Sequence, residues 1–329
     1  MTRVILVTGG AGYIGSRLIR DLATDPDFAG CTIRILDNLQ RETTTALLDL
    51  PRAGRYQFLE GDILDNAGMR RALDGVWAVV HMAAIVRTPL SFGPTGWIEQ
   101  VNHWGTANLV EAAAGAGVRA LIYTSSAAVY GPIDTVGGAP FREGDICRPV
   151  GLYAESKLRA ERQLRAADEQ GRIRSVILRL GPVFGLAPAM RFDAVANRFA
   201  YLASVHRPLT IYGEGRQIRP QLHVGDASRA IRFALSRLDE MAGGIFNVVG
   251  ENISILGLAD AVRSLRPGVE VRFTEQDVLT HLSYAIDGGR INGLGWYPEV
   301  SLEAGLAELL EHMQGFFPFR PGGLDALDE

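Results

Sequence analysis

The chain has 329 residues, of which 47% are hydrophobic and 21% charged, and a formal net charge of −4. That length carries a large core with room for two subdomains, and the acidic balance disfavours a nucleic-acid partner. No apolar run is long enough to span a bilayer, and the first strand follows Met1 so closely that no signal peptide is expected. Cys31 and Cys147 form no C-x-x-C motif. They are expected to be reduced structural thiols of a cytoplasmic protein without a membrane partner.

The first element is a continuous apolar run, Val4-Ile5-Leu6-Val7, which has the character of a buried parallel strand. Thr8-Gly9-Gly10-Ala11-Gly12-Tyr13-Ile14-Gly15 follows and opens into a segment with helical spacing from Ser16. Strand, glycine turn and helix is the context of a dinucleotide fingerprint. Gly9 permits the tight turn, Gly12 lets the backbone approach a pyrophosphate, and Gly15 lets the helix sit close on the strand. The helix N-terminus offers free N–H groups and a partial positive charge to phosphates. A second strand, Thr32–Asp37, ends in a carboxylate about 20 residues beyond the glycines, where it can accept from ribose hydroxyls. Asp37 would repel a 2′-phosphate, so NAD is expected over NADP; Arg34 and Arg41 stand nearby.

A third strand is predicted at 56–60, then Gly61-Asp62-Ile63. Asp62 can accept from an adenine amino group or cap a helix at 66–73. A fourth strand at 78–81 leads into Met82-Ala83-Ala84, small enough for a cofactor to lie against the backbone, and His81 is expected to be structural. The segment 101–115 is predicted to be one helix with two apolar faces, one carrying Val101, Gly105, Leu109 and Ala112, the other His103, Ala107, Val110 and Ala114. One face can pack on the sheet; the other needs a further partner, which predicts a homodimer.

A fifth strand, Ala120–Ser126, ends in hydroxyls, and ligands of open α/β sheets sit at the carboxyl ends of strands. Ser126 is thus placed to reach a substrate. A helix begins at Tyr153-Ala154-Glu155-Ser156-Lys157, so Tyr153 and Lys157 project from one face a turn apart. A phenol has an ordinary pKa of about 10 and is a poor base near neutrality. A fixed ammonium close by, together with a positive nicotinamide, is expected to favour the phenolate, and Lys157 can also reach nicotinamide ribose hydroxyls. Further elements are predicted as a strand at 175–180, a helix from Asp226, a strand at Ile245–Val248, a strand near 269–273 and a helix from Ser301. Trp296, Tyr297 and Pro298 are expected to pack. His206, His223, His281 and His312 are scattered, and no metal site is expected.

Taken together, TGGAGYIG (8–15), Asp37, Asp62-Ile63, HMAA (81–84), VNHWGT (101–106), SSAAVYG (125–131), YAESK (153–157), RLGPVFG (179–185), IRPQLHVGD (218–226) and LGWYPEVSLEAGL (294–306) resemble the extended short-chain dehydrogenase/reductase family, in its NAD-dependent epimerase/dehydratase group. The resemblance spans nearly the whole chain. It implies a Rossmann-type doubly wound α/β fold, with an NAD-binding domain over 1–180 and 222–250. It also implies a smaller, discontinuous substrate lobe over 181–221 and 251–317; the tail at 318–329, with Pro321, Gly322, Gly323 and its acids, is expected to be flexible. By resemblance the catalytic residues are Ser126, Tyr153 and Lys157. The cofactor residues are Gly9, Gly12, Tyr13, Ile14, Gly15, Asp37, Asp62, Ile63 and Ala83, with Tyr153 and Lys157. Substrate contacts fall on Ser126, Asn197 and Arg219, the last two as diphosphate ligands of a nucleotide sugar.

Three departures bear on the substrate. Family dehydratases carry Asp-Glu after the catalytic hydroxyl, where this chain has Ala127-Ala128. Pro182 replaces a common asparagine and offers no donor. The segment 275–286 holds no second phosphate arginine, and Arg272 is out of register. The expected activity is NAD-dependent epimerisation of a nucleotide sugar through a transient keto intermediate. The alternatives are a dehydrogenase or ketoreductase with net hydride transfer, and a non-catalytic NAD-sensing regulator. The regulator has no need for a hydroxyl, a phenol and an ammonium together.

Overall fold

The computed structural model describes residues 3–86, 96–132, 138–275 and 283–315. The expected flexible tail at 318–329 and His281 lie outside the described residues. The first half alternates strand and helix: β1 Val4–Thr8, α1 Tyr13–Thr24, β2 Thr32–Asp37, β3 Arg55–Glu60, α2 Asn66–Ala72, β4 Val76–His81, α3 Gly96–Glu99, α4 Thr106–Gly115, β5 Ala120–Ser126, α5 Leu152–Glu169 and β6 Arg174–Leu180. The second half is less regular: β7 Val183–Phe184, α6 Val195–Ser204, β8 Leu209–Tyr212, β9 Ile218–His223, α7 Val224–Ser236, α8 Leu238–Met241, β10 Ile245–Val248, β11 Glu251–Ser254, α9 Ile255–Leu265, β12 Val271–Thr274, α10 Gly289–Asn292 and α11 Leu302–His312.

Seven parallel strands form one sheet in the order β10-β6-β5-β4-β1-β2-β3. The order reverses beside β1, where β2 lies on one side and β4 on the other. That switch point is where open α/β sheets hold ligands, outside the carboxyl ends of the strands. Alternation along β1 builds a core on each face: Ile5 and Val7 join Leu18, Ile19 and Ile231, while Leu6 joins Leu109, Leu121 and Leu164. Helix α1 buries Gly15, Leu18, Ile19 and Leu22, a single stripe at helical spacing.

A second body carries the sheets β11-β9-β7 and β12-β8. Phe199, Leu209, Ile211, Leu258, Val262, Leu306 and Leu309 form its own core. Ile291 and Trp296 fall within the stretch assigned to this lobe by sequence, yet they pack into the core of the main sheet.

The segment 101–115 differs from the single helix expected. Gln100–Gly105 is π-helical and only Thr106–Gly115 is α-helical. The wider turn shifts the register, so Val101, Asn102, Gly105, Thr106, Leu109, Val110 and Ala113 point inward. Val110 therefore belongs to the internal core, whereas Ala107 and Ala114 stay half-buried and Trp104 is 59% exposed.

Candidate active site

The site lies at the carboxyl ends of the sheet, where the second body meets the glycine turn. At its floor Gly9 has φ +71°, a conformation L side chains avoid, and a Cβ there would lie 2.7 Å from the Ala83 nitrogen. A Cβ on Gly15 would lie 2.3 Å from the Gly9 oxygen, so only glycine lets α1 approach the turn this closely. Gly12 is the N-cap of α1 and no side chain caps the first turn. The cradle thus has the shape and the unclaimed N–H groups that a pyrophosphate requires.

Asp37 stands at its rim. One carboxylate oxygen accepts from the Ala11 N–H at 3.0 Å and the other from Leu39 N–H at 2.9 Å. These bonds tie the glycine turn to β2 and use two of about four acceptor positions. Asp62 accepts from Leu64 N–H and Asn38 Nδ2, each at 2.9 Å. The cap of α2 is Asp65, through the Ala67 N–H at 3.0 Å, so the capping alternative for Asp62 falls to its neighbour three residues on. Ile63 is buried and its carbonyl accepts from Asn108 at 3.0 Å.

Across the cleft, Ser126 closes β5 and caps the short turn Ala127–Tyr130, its Oγ accepting from Ala128 N–H at 3.2 Å. Ser126 faces Tyr153 on α5. Burial raises the Tyr153 phenol above its ordinary value, opposed by the Arg191 charge and the Ser126 hydroxyl, with Tyr284 adding to the rise. The expectation that Lys157 and a positive nicotinamide favour the phenolate concerns the NAD-bound site; in the protein alone the cation that acts on Tyr153 is Arg191 of the second body. Lys157 is buried. Its ammonium donates to the Thr124 carbonyl at 2.8 Å and lies 4.7 Å from the centre of the Tyr123 ring. Burial pushes it down to about 7, with Glu161 working in the opposite sense.

The two residues expected to contact a substrate diphosphate sit in different surroundings. Asn197 is fully buried. Its amide oxygen accepts from Gly185 N–H at 2.9 Å, and its nitrogen donates to the Tyr13 hydroxyl at 3.0 Å and the Arg191 carbonyl at 2.9 Å. Both of its donor hydrogens are committed, so Asn197 offers none to a diphosphate. Tyr13 in turn donates to the Gly185 carbonyl at 2.6 Å. The Tyr13–Asn197 pair therefore latches the second body onto the glycine turn. Arg219 lies over the Tyr284 ring, 4.8 Å from its centre, and donates to the Ile218 carbonyl at 2.9 Å.

Asn102 was not singled out from sequence. Its amide clamps both backbone groups of Ile85, at 2.7 and 3.0 Å, and donates to Ser156 Oγ at 3.1 Å. Ser156 donates to the Tyr153 carbonyl at 2.8 Å. The π-helical segment thus pins the chain leaving β4 to α5. A polar residue at an inward position of an otherwise apolar segment was the available signal. Arg191 was also missed; it lies in an irregular stretch with no periodicity, paired with Asp193 at 2.7 Å.

A model of the NAD dependent epimerase/dehydratase family matches residues 5–249. The chain belongs to that family. It is an NAD-dependent enzyme of the extended short-chain dehydrogenase/reductase type, and its cofactor is NAD. Among similar proteins, a dTDP-D-glucose 4,6-dehydratase of Mus musculus is 31% identical over 322 residues, covering 93% of this chain and 87% of that one. The crystal structure of DesIV, a dTDP-glucose 4,6-dehydratase from Streptomyces venezuelae with NAD and TYD bound, superposes with a TM-score of 0.83 at 30% identity, covering 94% and 96% of the two chains. A UDP-glucuronic acid 4-epimerase from Bacillus cereus in complex with UDP-glucuronic acid and NAD gives a TM-score of 0.84 at 26% identity, covering 94% and 98%. Among the described residues, no helix is long and apolar enough to cross a membrane, and no group of three or more His, Cys, Asp or Glu is placed to hold a metal ion.

Proposed function

We propose that this enzyme inverts a carbinol carbon of a nucleotide sugar through a transient ketone, without loss of water. The observation that carries this reading is the pair Ala127-Ala128 directly after Ser126, in a turn where Ala127 is fully buried. Elimination of water needs an acid for the leaving hydroxyl and a base for the adjacent carbon–hydrogen bond. Two methyl groups supply neither. This separates the chain from the dehydratases it resembles.

In this reading Gly9, Gly12 and Gly15 shape the turn under the pyrophosphate, and the first-turn N–H groups of Tyr13 and Ile14 face it. The free lone pairs of Asp37 take the adenosine ribose hydroxyls; Asp62, Ile63 and Ala83 line the groove; Lys157 takes the nicotinamide ribose. Bound NAD supplies the hydride acceptor and donor for the carbinol carbon. Tyr153 takes the proton from the carbinol oxygen as the ketone forms and returns it when the alcohol is restored. Ser126 holds the same oxygen in line with Tyr153. Arg219 offers a planar fork to a substrate phosphate. With both Asn197 donors committed elsewhere, Arg219 is the diphosphate contact that remains of the two proposed from sequence. The active form is a homodimer, in which Trp104, Ala107 and Ala114 are covered by a second copy.

The test is a panel of UDP-, GDP- and dTDP-sugars, with products separated chromatographically and NADH followed by absorbance. The expected result is an epimer with no accumulated NADH. Stoichiometric NADH with a keto or acid product would make the enzyme a dehydrogenase, and a keto-deoxy sugar would overturn the argument from Ala127-Ala128.

A further inference from the structure

Lys157 is the only lysine in the chain; every other basic side chain among its 33 lysines and arginines is arginine. A guanidinium stays charged in proteins, whereas a buried amine gives up its proton readily. Few described groups face this amine. From β5 come the Tyr123 ring and the Thr124 carbonyl. From β4 comes His81, stacked on Tyr123 and itself held neutral. From α5 come Tyr153 one turn before and Glu161 one turn after. Burial pushes the ammonium down, and Glu161 is the group that opposes this.

Glu161 is itself 1% exposed. Ser125 donates to its Oε1 at 2.5 Å, and Arg179 grips both oxygens, with Nε 3.0 Å from Oε1 and Nη2 2.7 Å from Oε2. Ser125 and Arg179 are direct neighbours across β5 and β6, so the two strands offer their donors to α5 at one point. Tyr130 lies under the Arg179 guanidinium, 4.7 Å from ring centre, and the Glu143 carbonyl accepts from Nη1 at 3.4 Å. Cys147 faces the pair from the outer side. A buried ion pair is not needed for stability, since apolar residues of similar volume commonly do as well. The grip fixes where a carboxylate sits relative to Lys157, next to the strand that ends in Ser126.

We propose that Glu161 is a positioning residue for Lys157: locked by Ser125 and Arg179, its carboxylate keeps the sole lysine of the chain an ammonium in the NAD cleft. The inference rests on the cofactor reading for its consequence, not for its geometry. Glu161→Gln preserves shape and most hydrogen bonds and removes the charge. Because the chain has one lysine, protein labelled with ¹³C,¹⁵N-lysine gives a single side-chain resonance, which reports Lys157 directly. The expected result is a titration midpoint lower by about one pH unit in Glu161→Gln, while Ser125→Ala, which keeps the charge, leaves it within a few tenths. A midpoint unchanged in Glu161→Gln overturns the proposal.

If the single variant fails to fold because Arg179 is left unpaired, the double variant Glu161→Gln/Arg179→Gln removes both charges of that pair. A lowered midpoint is expected there too, and a wild-type midpoint overturns the proposal. The functional arm is the NAD dissociation constant by calorimetry from pH 6 to 9. Its weakening with rising pH should begin about one unit earlier in Glu161→Gln, and superimposable profiles would overturn the role in cofactor binding. A wild-type protein that does not bind NAD would refute the cofactor reading, with the resonance still deciding the inference.

Discussion

His81 at the end of β4 makes the folded state sensitive to acid in a way that can be isolated. The ring is fully buried, with Nδ1 2.7 Å from Thr8 Oγ1 and Nε2 2.9 Å from Thr106 Oγ1. The Thr106 hydroxyl donates to the Asn102 carbonyl at 2.7 Å, so it must accept from His81 Nε2–H. Nδ1 then accepts from Thr8, which assigns the neutral Nε2–H tautomer. Burial, followed by the nearby Lys157 charge, pushes the ring down to about 3 from an ordinary 6.5. The unfolded chain therefore takes up a proton at pH 6.5 that the folded chain refuses until about pH 3. Stability from this group is complete above 6.5 and is lost as pH falls, at about 1.4 kcal/mol per pH unit. Between pH 7.5 and pH 5 the loss is about 2 kcal/mol, from the roughly 1.5 units below 6.5. Urea unfolding of wild type and His81→Gln at constant ionic strength measures it. The amide stays neutral in both states and keeps a donor toward Thr106. The variant is expected to be less stable at pH 7.5 by about 1–2 kcal/mol for the lost Thr8 bond and packing, with the gap closing by about 2 kcal/mol at pH 5. Parallel pH curves would refute the burial argument.

Tyr153→Phe keeps the ring and removes the proton-transfer oxygen, so turnover should fall about 10²–10⁴-fold with an unchanged melting temperature; near wild-type turnover would remove Tyr153 as the base. Gly15→Ala places a methyl 2.3 Å from the Gly9 oxygen and 2.7 Å from the Gly10 Cα. It should cost about 1–3 kcal/mol in denaturant unfolding and weaken NAD binding. Gly115→Ala, where a Cβ meets nothing within 4 Å, should do neither. Calorimetric titration should give tighter binding of NAD than NADP because Asp37 opposes a 2′-phosphate, and equal affinity would shift attention to Arg41. Light scattering at micromolar concentration should report a dimer that Trp104→Asp dissociates, and a wild-type monomer would contradict the proposed covering of α4.

Much of the fold could be read before any coordinates. Thr32–Asp37, Ala120–Ser126 and Ile245–Val248 are strands over the predicted residues because short runs rich in apolar and β-branched residues favour the extended chain of a buried sheet. The 101–115 segment was read correctly as helical but not as π-helical. Periodicity reports that a segment turns, and a one-residue widening over a single turn falls within its scatter. Asp62 and Asp65 are interchangeable as caps on paper. Only the path of the chain decides which carboxylate meets the first amides of α2.

The sequence by itself determined the glycine turn, the carboxylate after β2 and the hydroxyl, phenol and amine of the cleft. These depend on short spacings that the backbone converts directly into shared faces and strand ends. Tertiary structure alone decided what Asn197, Arg191, Asn102 and Glu161 do. Tyr13 and Asn197 are 184 residues apart, and Ser125 and Glu161 are 36 apart. Whether a polar side chain reaches a ligand, another element or a neighbouring charge depends on which surfaces the two bodies bring together. The environment of Tyr153 is of the same kind: its residue type is local, but its proton affinity is set by burial beneath a second body and by an arginine that body supplies.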